Sequence, residues 1–132
     1  MYKHIFSLLY IILIIPLVTC YLSEPHAPFV ITSPLKNTII SRGSEVEITW
    51  ELTPGVKYPI YGYAAASTAK TIIGLLPVDS KRDERYVYKM DNNIKLTDYS
   101  YTWKVGDNIE PGKYLIGIGF YYHEASPVIQ II

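Results

Sequence analysis

Tyrosine is the residue type in this sequence with the clearest capacity for binding chemistry, because 13 of the 132 residues are tyrosine. A phenol ring offers a flat apolar face that stacks on the C–H face of a sugar, and its hydroxyl adds a hydrogen bond. Tyr61 and Tyr63 would share one face of a strand, as would Tyr86 and Tyr88. Side by side and facing outward, the two pairs would form an aromatic ledge. We therefore predict carbohydrate contact at Tyr61, Tyr63, Tyr86, Tyr88 and Tyr121.

A competing interpretation of the tyrosines is that they pack inside the protein, because tyrosine is a favoured strand residue. Under this interpretation one of the two pairs simply belongs to the core. Tyr99, Tyr101 and Tyr114 have the same alternation parity as nearby apolar residues, and we predict that all three are buried.

Catalytic side chains are scarce in this sequence. Nucleophilic catalysis needs a serine or cysteine beside a histidine, and His26 and His123 both fall in turn or lead-in segments. No Gly-x-Ser-x-Gly or His-Glu-x-x-His motif occurs. Glu45, Glu47 and Glu51 share a strand face, which is typical of a solvated surface rather than of a glycosidase carboxylate pair. The sequence therefore predicts no enzyme, no catalytic residue and no cofactor.

Composition disfavours a metal site and a nucleic-acid partner. One cysteine and three scattered histidines cannot make a multi-cysteine zinc site. The 12 lysines and arginines balance 12 aspartates and glutamates, whereas a nucleic-acid-binding domain carries a basic surface. With 49% hydrophobic and 18% charged residues, the chain has the composition of a folded domain.

Residues 1–20 have the three-part plan of a secretory signal peptide. A short basic start is followed by an apolar run of about 14 residues, which is too short to span a bilayer. We predict cleavage after Cys20, which removes the lone cysteine and leaves residues 21–132. The alternatives are an uncleaved membrane anchor and a bacterial lipoprotein lipidated at Cys20. Cleavage predicts a secreted, extracellular protein whose mature chain has no transmembrane segment.

After a short lead-in at 21–27, the sequence predicts strands. The clearest lies at 45–52, where four apolar residues alternate with polar ones, as in a strand with one buried face: Val46, Ile48, Trp50 and Leu52. Turn signals recur roughly every 8–12 residues, a spacing typical of β-sandwiches. We predict one domain at 28–132, an all-β immunoglobulin-like (fibronectin III-like) antiparallel β-sandwich of seven to nine strands, with Trp50 and Trp103 central to its core.

Several of the other predicted strands carry aromatic residues. The apolar stretch 58–66 is predicted to contain a strand. The segment 64–69 has some helical propensity but is interpreted as strand and loop, and 85–90 and 95–105 are predicted as strands. In the strand predicted at 113–121, Phe120 has the same parity as three residues expected to face inward, Tyr114, Ile116 and Ile118.

Four segments, taken in order, carry a resemblance to a known family. They are Ile-Thr-Ser-Pro at 31–34, Gly-Ser-Glu-Val-Glu-Ile-Thr-Trp at 43–50, Tyr-Thr-Trp-Lys-Val at 101–105 followed by Pro-Gly-Lys-Tyr-Leu-Ile at 111–116, and Ser-Pro-Val-Ile at 126–129. Together they resemble the immunoglobulin-like N-terminal domain of the fungal cell wall synthesis family. That family includes yeast proteins of β-glucan assembly and Ser/Thr-rich GPI-anchored wall proteins.

The resemblance implies a secreted, non-enzymatic protein of the cell surface or cell wall that binds wall polysaccharide such as β-glucan or takes part in wall organisation. The matching segments are turns and core strands, so they supply no binding residue. No Ser/Thr-rich stalk or hydrophobic tail follows the domain, and a GPI anchor is not expected. The alternative function is a secreted protein-interaction module, effector-like or adhesin-like, that binds an extracellular protein through a sheet edge or loops.

Overall fold

The computed structural model describes residues 27–60, 62–81 and 83–132. The predicted signal peptide at 1–20 with its cleavage point after Cys20, the lead-in residues 21–26, and Tyr61 lie outside the described residues. The described part contains nine strands: β1 (Phe29–Ser33), β2 (Ile39–Ile40), β3 (Glu45–Leu52), β4 (Thr71–Leu76), β5 (Tyr88–Ile94), β6 (Ser100–Lys104), β7 (Gly112–Ile118), β8 (Glu124–Ala125) and β9 (Ile129–Ile131). Within these ranges no helix is long and apolar enough to cross a membrane.

The strands form two sheets. One has the order β1-β3-β6, and the other has the order β2-β9-β7-β4-β5, with β8 added beside β7. The all-β class predicted from the sequence is confirmed, and two sheets around one core are consistent with a β-sandwich.

One strand pair corrects the expectation of wholly antiparallel sheets. β2 runs parallel to β9, with Ile39 opposite Gln130 and Ile40 opposite Ile131. The chain leaves the first sheet after Ser33, because Pro34 has no N–H to donate to the ladder, and it then joins the edge of the second sheet. β2 therefore meets β9 in the same direction, although the other strand pairs of the described residues are antiparallel.

Strand β3 shows why the alternation in the sequence was informative. Ile48 and Trp50 are buried, whereas Glu45 and Glu47 are exposed, as the period of two requires. β3 lies between β1 and β6, so its backbone is paired on both sides. A slip of one residue would turn the polar face of β3, which carries three carboxylates and one hydroxyl, toward the core. The energetic cost of burying these groups fixes the register of the sheet.

The core lies between the two sheets and is one continuous cluster. Trp50 is 1% exposed and Trp103 is 3% exposed, which confirms both predictions of burial. The indole N–H of Trp50 donates a hydrogen bond of 2.8 Å to the carbonyl of Leu96, so its polar atom is satisfied inside the core. The second sheet contributes mainly branched aliphatic side chains: Ile73, Leu75, Ile116, Ile118, Ile129 and Ile131.

The stretch 58–66 differs from its interpretation as a strand. It forms a tight turn closed by an isolated bridge between Ile60 and Ala64. Gly62 has a φ of +84°, a conformation that bends the chain and that side-chain-bearing residues rarely adopt. The turn brings Tyr63 back toward the core instead of along a sheet.

The prediction that Tyr99 is buried is wrong. A 3₁₀ turn at Leu96–Asp98 interrupts the strand predicted at 95–105, and Tyr99 follows it with a φ of +61°. Its side chain is 49% exposed, while its carbonyl accepts a hydrogen bond from the N–H of Trp50. Tyr101 and Tyr114, which were also predicted to be buried, are half-buried and pack against the core.

Candidate functional site

Of the five tyrosines predicted to contact carbohydrate, Tyr63 lies in the core. It is 2% exposed, and its ring makes an edge contact with Phe29 at a centroid distance of 5.6 Å. A buried ring has no face left for a sugar, so Tyr63 does not belong to a surface ledge. Tyr61, its predicted companion, lies outside the described residues.

Tyr88 points into the space between the sheets. It pairs with Leu75 where β4 meets β5, and its ring lies 6.4 Å from that of Trp103. Tyr88 is half-buried, and it packs against the core cluster.

Tyr86 lies on the opposite face of the same sheet, above paired glycines. Gly74 and Gly117 are opposite one another in β4 and β7, and Cβ atoms on them would lie 2.7 and 3.0 Å from the Tyr86 ring. The phenol donates a hydrogen bond of 2.9 Å to the carbonyl of Gly119. Burial raises the pKa of Tyr86. The Tyr86 ring thus covers two glycines on the outer face of the sheet. The predicted ledge of two outward-facing tyrosine pairs does not form, because Tyr63 and Tyr88 pack against the core.

Tyr121 is the predicted tyrosine that the structure places on the surface, at 73% exposure. Phe120 beside it is 58% exposed, and the two rings meet edge to face at a centroid distance of 4.9 Å. We call these two residues the aromatic rim. Adjacent, exposed aromatic side chains are unusual on the surfaces of soluble proteins, and such patches mark interaction sites.

Phe120 was assigned to the inward face by its parity, and that assignment is wrong. β7 ends at Ile118, and Gly119 then turns the chain with a φ of +145°. The alternation stops at that glycine, so Phe120 no longer follows Ile116 and Ile118 inward. The signal in the sequence was the run of three aromatic residues after a glycine, since consecutive residues of a strand cannot share one buried face.

Backbone hydrogen bonds hold the loop that carries the aromatic rim. The N–H groups of Tyr121 and Tyr122 both donate to the carbonyl of Gly62, at 2.7 and 3.0 Å. The N–H of Gly119 donates to the carbonyl of Ile72 in β4 at 2.9 Å. The loop is therefore docked on the 60–64 turn at one point and on the sheet at another.

A cavity of about 370 Å³ opens beside the aromatic rim. Its described lining is almost wholly apolar, with one charged side chain, and comprises Pro59, Ile60, Gly62, Tyr63, Ala64, Ala65, Ala69, Lys70, Phe120 and Tyr121. The small alanine side chains leave the space open, and the rings form one wall. An apolar wall with a few polar groups is typical of small-ligand sites.

A second depression adjoins this cavity. It measures about 460 Å³ and is lined by Gly62, Asp83, Tyr121 and Tyr122. Tyr121 and Gly62 line both spaces, so a cavity with Lys70 in its lining and a depression with Asp83 in its lining meet at these two residues.

Behind the loop lies a buried histidine. His123 is 5% exposed, and its ring centroid is 5.8 Å from that of Tyr86. Burial lowers the pKa of His123, although the carboxylates of Glu124, Asp83 and Glu84 and a hydrogen bond with the backbone of Lys81 oppose the shift. His123 packs behind the loop and is not among the described lining residues of either cavity.

Histidine, aspartate and glutamate side chains elsewhere in the described residues could bind a metal ion only where they cluster. Within them, no group of three or more His, Cys, Asp or Glu side chains is placed to hold a metal ion. Glu45, Glu47 and Glu51 are exposed on β3 of the first sheet, whereas the aromatic rim follows β7 of the second sheet.

A scan against protein-family models found no match to this chain. Searches of curated proteins and of solved structures also found no match. The geometry of the site and the residue pattern are therefore the observations that bear on function.

Proposed function

We propose that this chain is a secreted, non-enzymatic β-sandwich of the cell surface or cell wall that binds polysaccharide at the aromatic rim. The observation that carries the proposal is the exposed Phe120–Tyr121 pair beside an apolar cavity of about 370 Å³. The proposed site lies in the loop between β7 and β8, and not on the predicted tyrosine ledge. Tyr121 belongs both to the five predicted contacts and to the proposed site.

Sugars suit this surface for a physical reason. A pyranose presents C–H groups on its faces and hydroxyls around its rim, so it needs an apolar platform with a few polar partners at its edge. Phe120 and Tyr121 supply the platform, and the Tyr121 hydroxyl and the Lys70 ammonium supply the partners. Backbone hydrogen bonds to Gly62 hold the loop in place before binding, which reduces the entropy lost when a ligand binds.

The strand order favours an immunoglobulin-like sandwich as the scaffold. The order β1-β3-β6 facing β9-β7-β4 corresponds to strands A, B and E against G, F and C of that fold. In such sandwiches the loops at the two ends of the sheets carry binding sites, and the loop between β7 and β8 starts at the end of a central strand. A sheet scaffold that presents a loop at its end suits a binding module.

Secretion is part of the proposal because of the leader-like residues 1–20. A polysaccharide of the cell surface or wall is a ligand that only an exported protein meets. The resemblance of segments in 28–132 to the fungal cell wall synthesis family supports the same location.

The test is retention of the full chain, purified from the culture medium, on insoluble β-glucan, chitin and cellulose. We expect retention on at least one of the three, with at least a fivefold loss in Tyr121→Ala and in Phe120→Ala. Leu35→Ala is the matched control, because Leu35 is as exposed as Tyr121, at 73%, and lies outside both cavities. Failure of the unmodified chain to bind any polysaccharide would overturn carbohydrate binding.

A second candidate function is a protein-interaction module. Leu35 and Ile39 are 73% and 63% exposed and line one groove between the segment 33–41, which contains β2, and the start of β3. Exposed aliphatic side chains that line one groove are typical of protein contacts. This candidate predicts a protein partner whose capture is lost in a Leu35→Ser, Ile39→Ser double variant and unchanged in Tyr121→Ala.

A further inference from the structure

Tyr121 lines two adjoining spaces, and this arrangement indicates how a polysaccharide would lie on the protein. We propose that the site takes an internal stretch of a neutral, linear glycan, with one sugar unit on the Tyr121 ring and neighbouring units in the cavities on either side. This inference rests on the proposed function, and it adds the class of ligand and the way the ligand is held.

The first step is that both spaces meet at one side chain. Tyr121 and Gly62 line the cavity of about 370 Å³ and also the depression of about 460 Å³. Both are open to solvent, and both volumes lie within the range of about 300–1,000 Å³ that small-ligand sites occupy. A ligand that fills one space therefore leaves the other open to the next unit of a chain.

The second step is that Tyr121 is a fixed ridge. Its N–H is bonded to the carbonyl of Gly62 at 2.7 Å, and the Phe120 ring supports it edge to face at 4.9 Å. The ring nevertheless remains 73% exposed. A site that binds only the end of a glycan closes around the last sugar, whereas an exposed ring that borders two open spaces lets the chain continue in two directions.

The third step concerns charge. Lys70 lines the cavity of about 370 Å³, and Asp83 lines the depression of about 460 Å³. The ammonium donates hydrogen bonds and the carboxylate accepts them, and sugar hydroxyls can serve both. A polyanionic glycan would place like charge against Asp83, and a polycationic one against Lys70, at an energetic cost. Neutral sugars match both sides.

The experiment measures affinity against chain length. Cello-oligosaccharides and laminari-oligosaccharides from one to six units are titrated calorimetrically into the full chain, with oligogalacturonates as the anionic series. We expect no measurable binding of the monosaccharides, a rise in affinity of at least tenfold from the disaccharide to the tetrasaccharide of one neutral series, and at least tenfold weaker binding of the anionic series.

Variants divide the site into its parts. Tyr121→Ala removes the dependence on chain length, and Lys70→Gln and Asp83→Asn each lower affinity for the tetrasaccharide about threefold or more. Both charged side chains are exposed, so the substitutions leave the fold intact. Lys36→Gln and Asp79→Asn are the matched controls, because both residues are also exposed and line neither cavity.

The outcomes separate this inference from the function on which it rests. Equal affinity for the disaccharide and the hexasaccharide, with binding still dependent on Tyr121, overturns the two-sided site and leaves carbohydrate binding in place. Tighter binding of oligogalacturonates overturns the neutral ligand class. Absence of binding across all series, together with no retention on insoluble polysaccharide, overturns both proposals.

Discussion

The phenol of Tyr63 donates a hydrogen bond of 2.7 Å to Oε1 of Glu124. Tyr63 belongs to the 60–64 turn and Glu124 opens β8, so the bond joins the two segments that flank the aromatic rim. The bond is partly buried, and its acceptor is a carboxylate. Hydrogen bonds to charged groups are stronger than neutral ones, and this bond therefore ties the site to the core.

The Tyr63–Glu124 bond predicts the effect of Tyr63→Phe. Loss of a hydrogen bond to a charged group lowers the free energy of unfolding by about 1.5–3 kcal/mol. Tyr114→Phe is the control, because its hydroxyl donates to the carbonyl of Glu110 at an exposed position and its loss should lower the free energy by about 0.5–1.5 kcal/mol. Urea denaturation of both variants measures the difference, and equal losses would contradict the role assigned to Glu124.

His123 predicts loss of stability in acid. Burial lowers the pKa of its imidazole in the folded state, so below the ordinary value of about 6.5 the unfolded chain binds more protons than the folded one. The free energy of unfolding contributed by neutral His123 is present above that pH and falls as pH drops through the window down to the folded pKa. Denaturation midpoints across this window should fall more steeply for the unmodified chain than for His123→Gln. Parallel pH profiles would refute the prediction.

The turn at Gly119 predicts a large effect of one methyl group. A Cβ there would lie 1.8 Å from the carbonyl oxygen of Tyr122, and the φ of +145° is already unfavourable for alanine. Gly119→Ala should lower the free energy of unfolding by about 4 kcal/mol, in the range that marks a backbone clash. Gly43→Ala, with a φ of +83° and no atom within 4 Å of its Cβ, should lose only about 1–2 kcal/mol. Thermal unfolding of the two variants compares a steric clash plus an unfavourable φ with an unfavourable φ alone. Similar losses in the free energy of unfolding would rule out the clash.

Thr71 predicts a stabilising substitution. It is 1% exposed, and its hydroxyl has no hydrogen-bond partner among the described residues. Replacing this hydroxyl with a methyl group in Thr71→Val removes the free-energy penalty of a buried, unpaired polar group. We expect a gain of about 1 kcal/mol in the free energy of unfolding, seen as a higher melting temperature.

The control for Thr71→Val is Thr49→Val. The hydroxyl of Thr49 shares a hydrogen bond of 2.7 Å with that of Thr32 on an exposed face, so its removal should give no gain. A lower melting temperature in Thr71→Val would show that the hydroxyl is satisfied in solution.

The fold class followed from the sequence where the pattern was local. The alternation in β3 predicted which residues face inward, because side chains of a strand alternate between two faces and one of those faces is buried. Trp50 and Trp103 could be assigned to the core for the same reason. Turn residues between apolar stretches marked most of the connections.

The site followed from the sequence only in part. Tyr121 was among the predicted contacts, and Phe120 was placed inward because parity was carried past Gly119. Tyr63 and Tyr88 were predicted as surface contacts, yet a tight turn buries Tyr63 in the core, and packing beside Trp103 leaves Tyr88 half-buried.

The sequence by itself determined that this chain folds as strands, because period-two alternation with one apolar face is a local property of neighbouring residues. Only the tertiary structure decided which tyrosines meet solvent. That outcome depends on which strands pair, on the glycine conformations at Gly62 and Gly119, and on contacts between residues about 60 positions apart, such as the 2.7 Å bond from Tyr63 to Glu124. The exposure of Phe120 and Tyr121 depends on those long-range contacts together with the turn at Gly119, so the run of aromatic residues after a glycine signals the rim without determining its exposure.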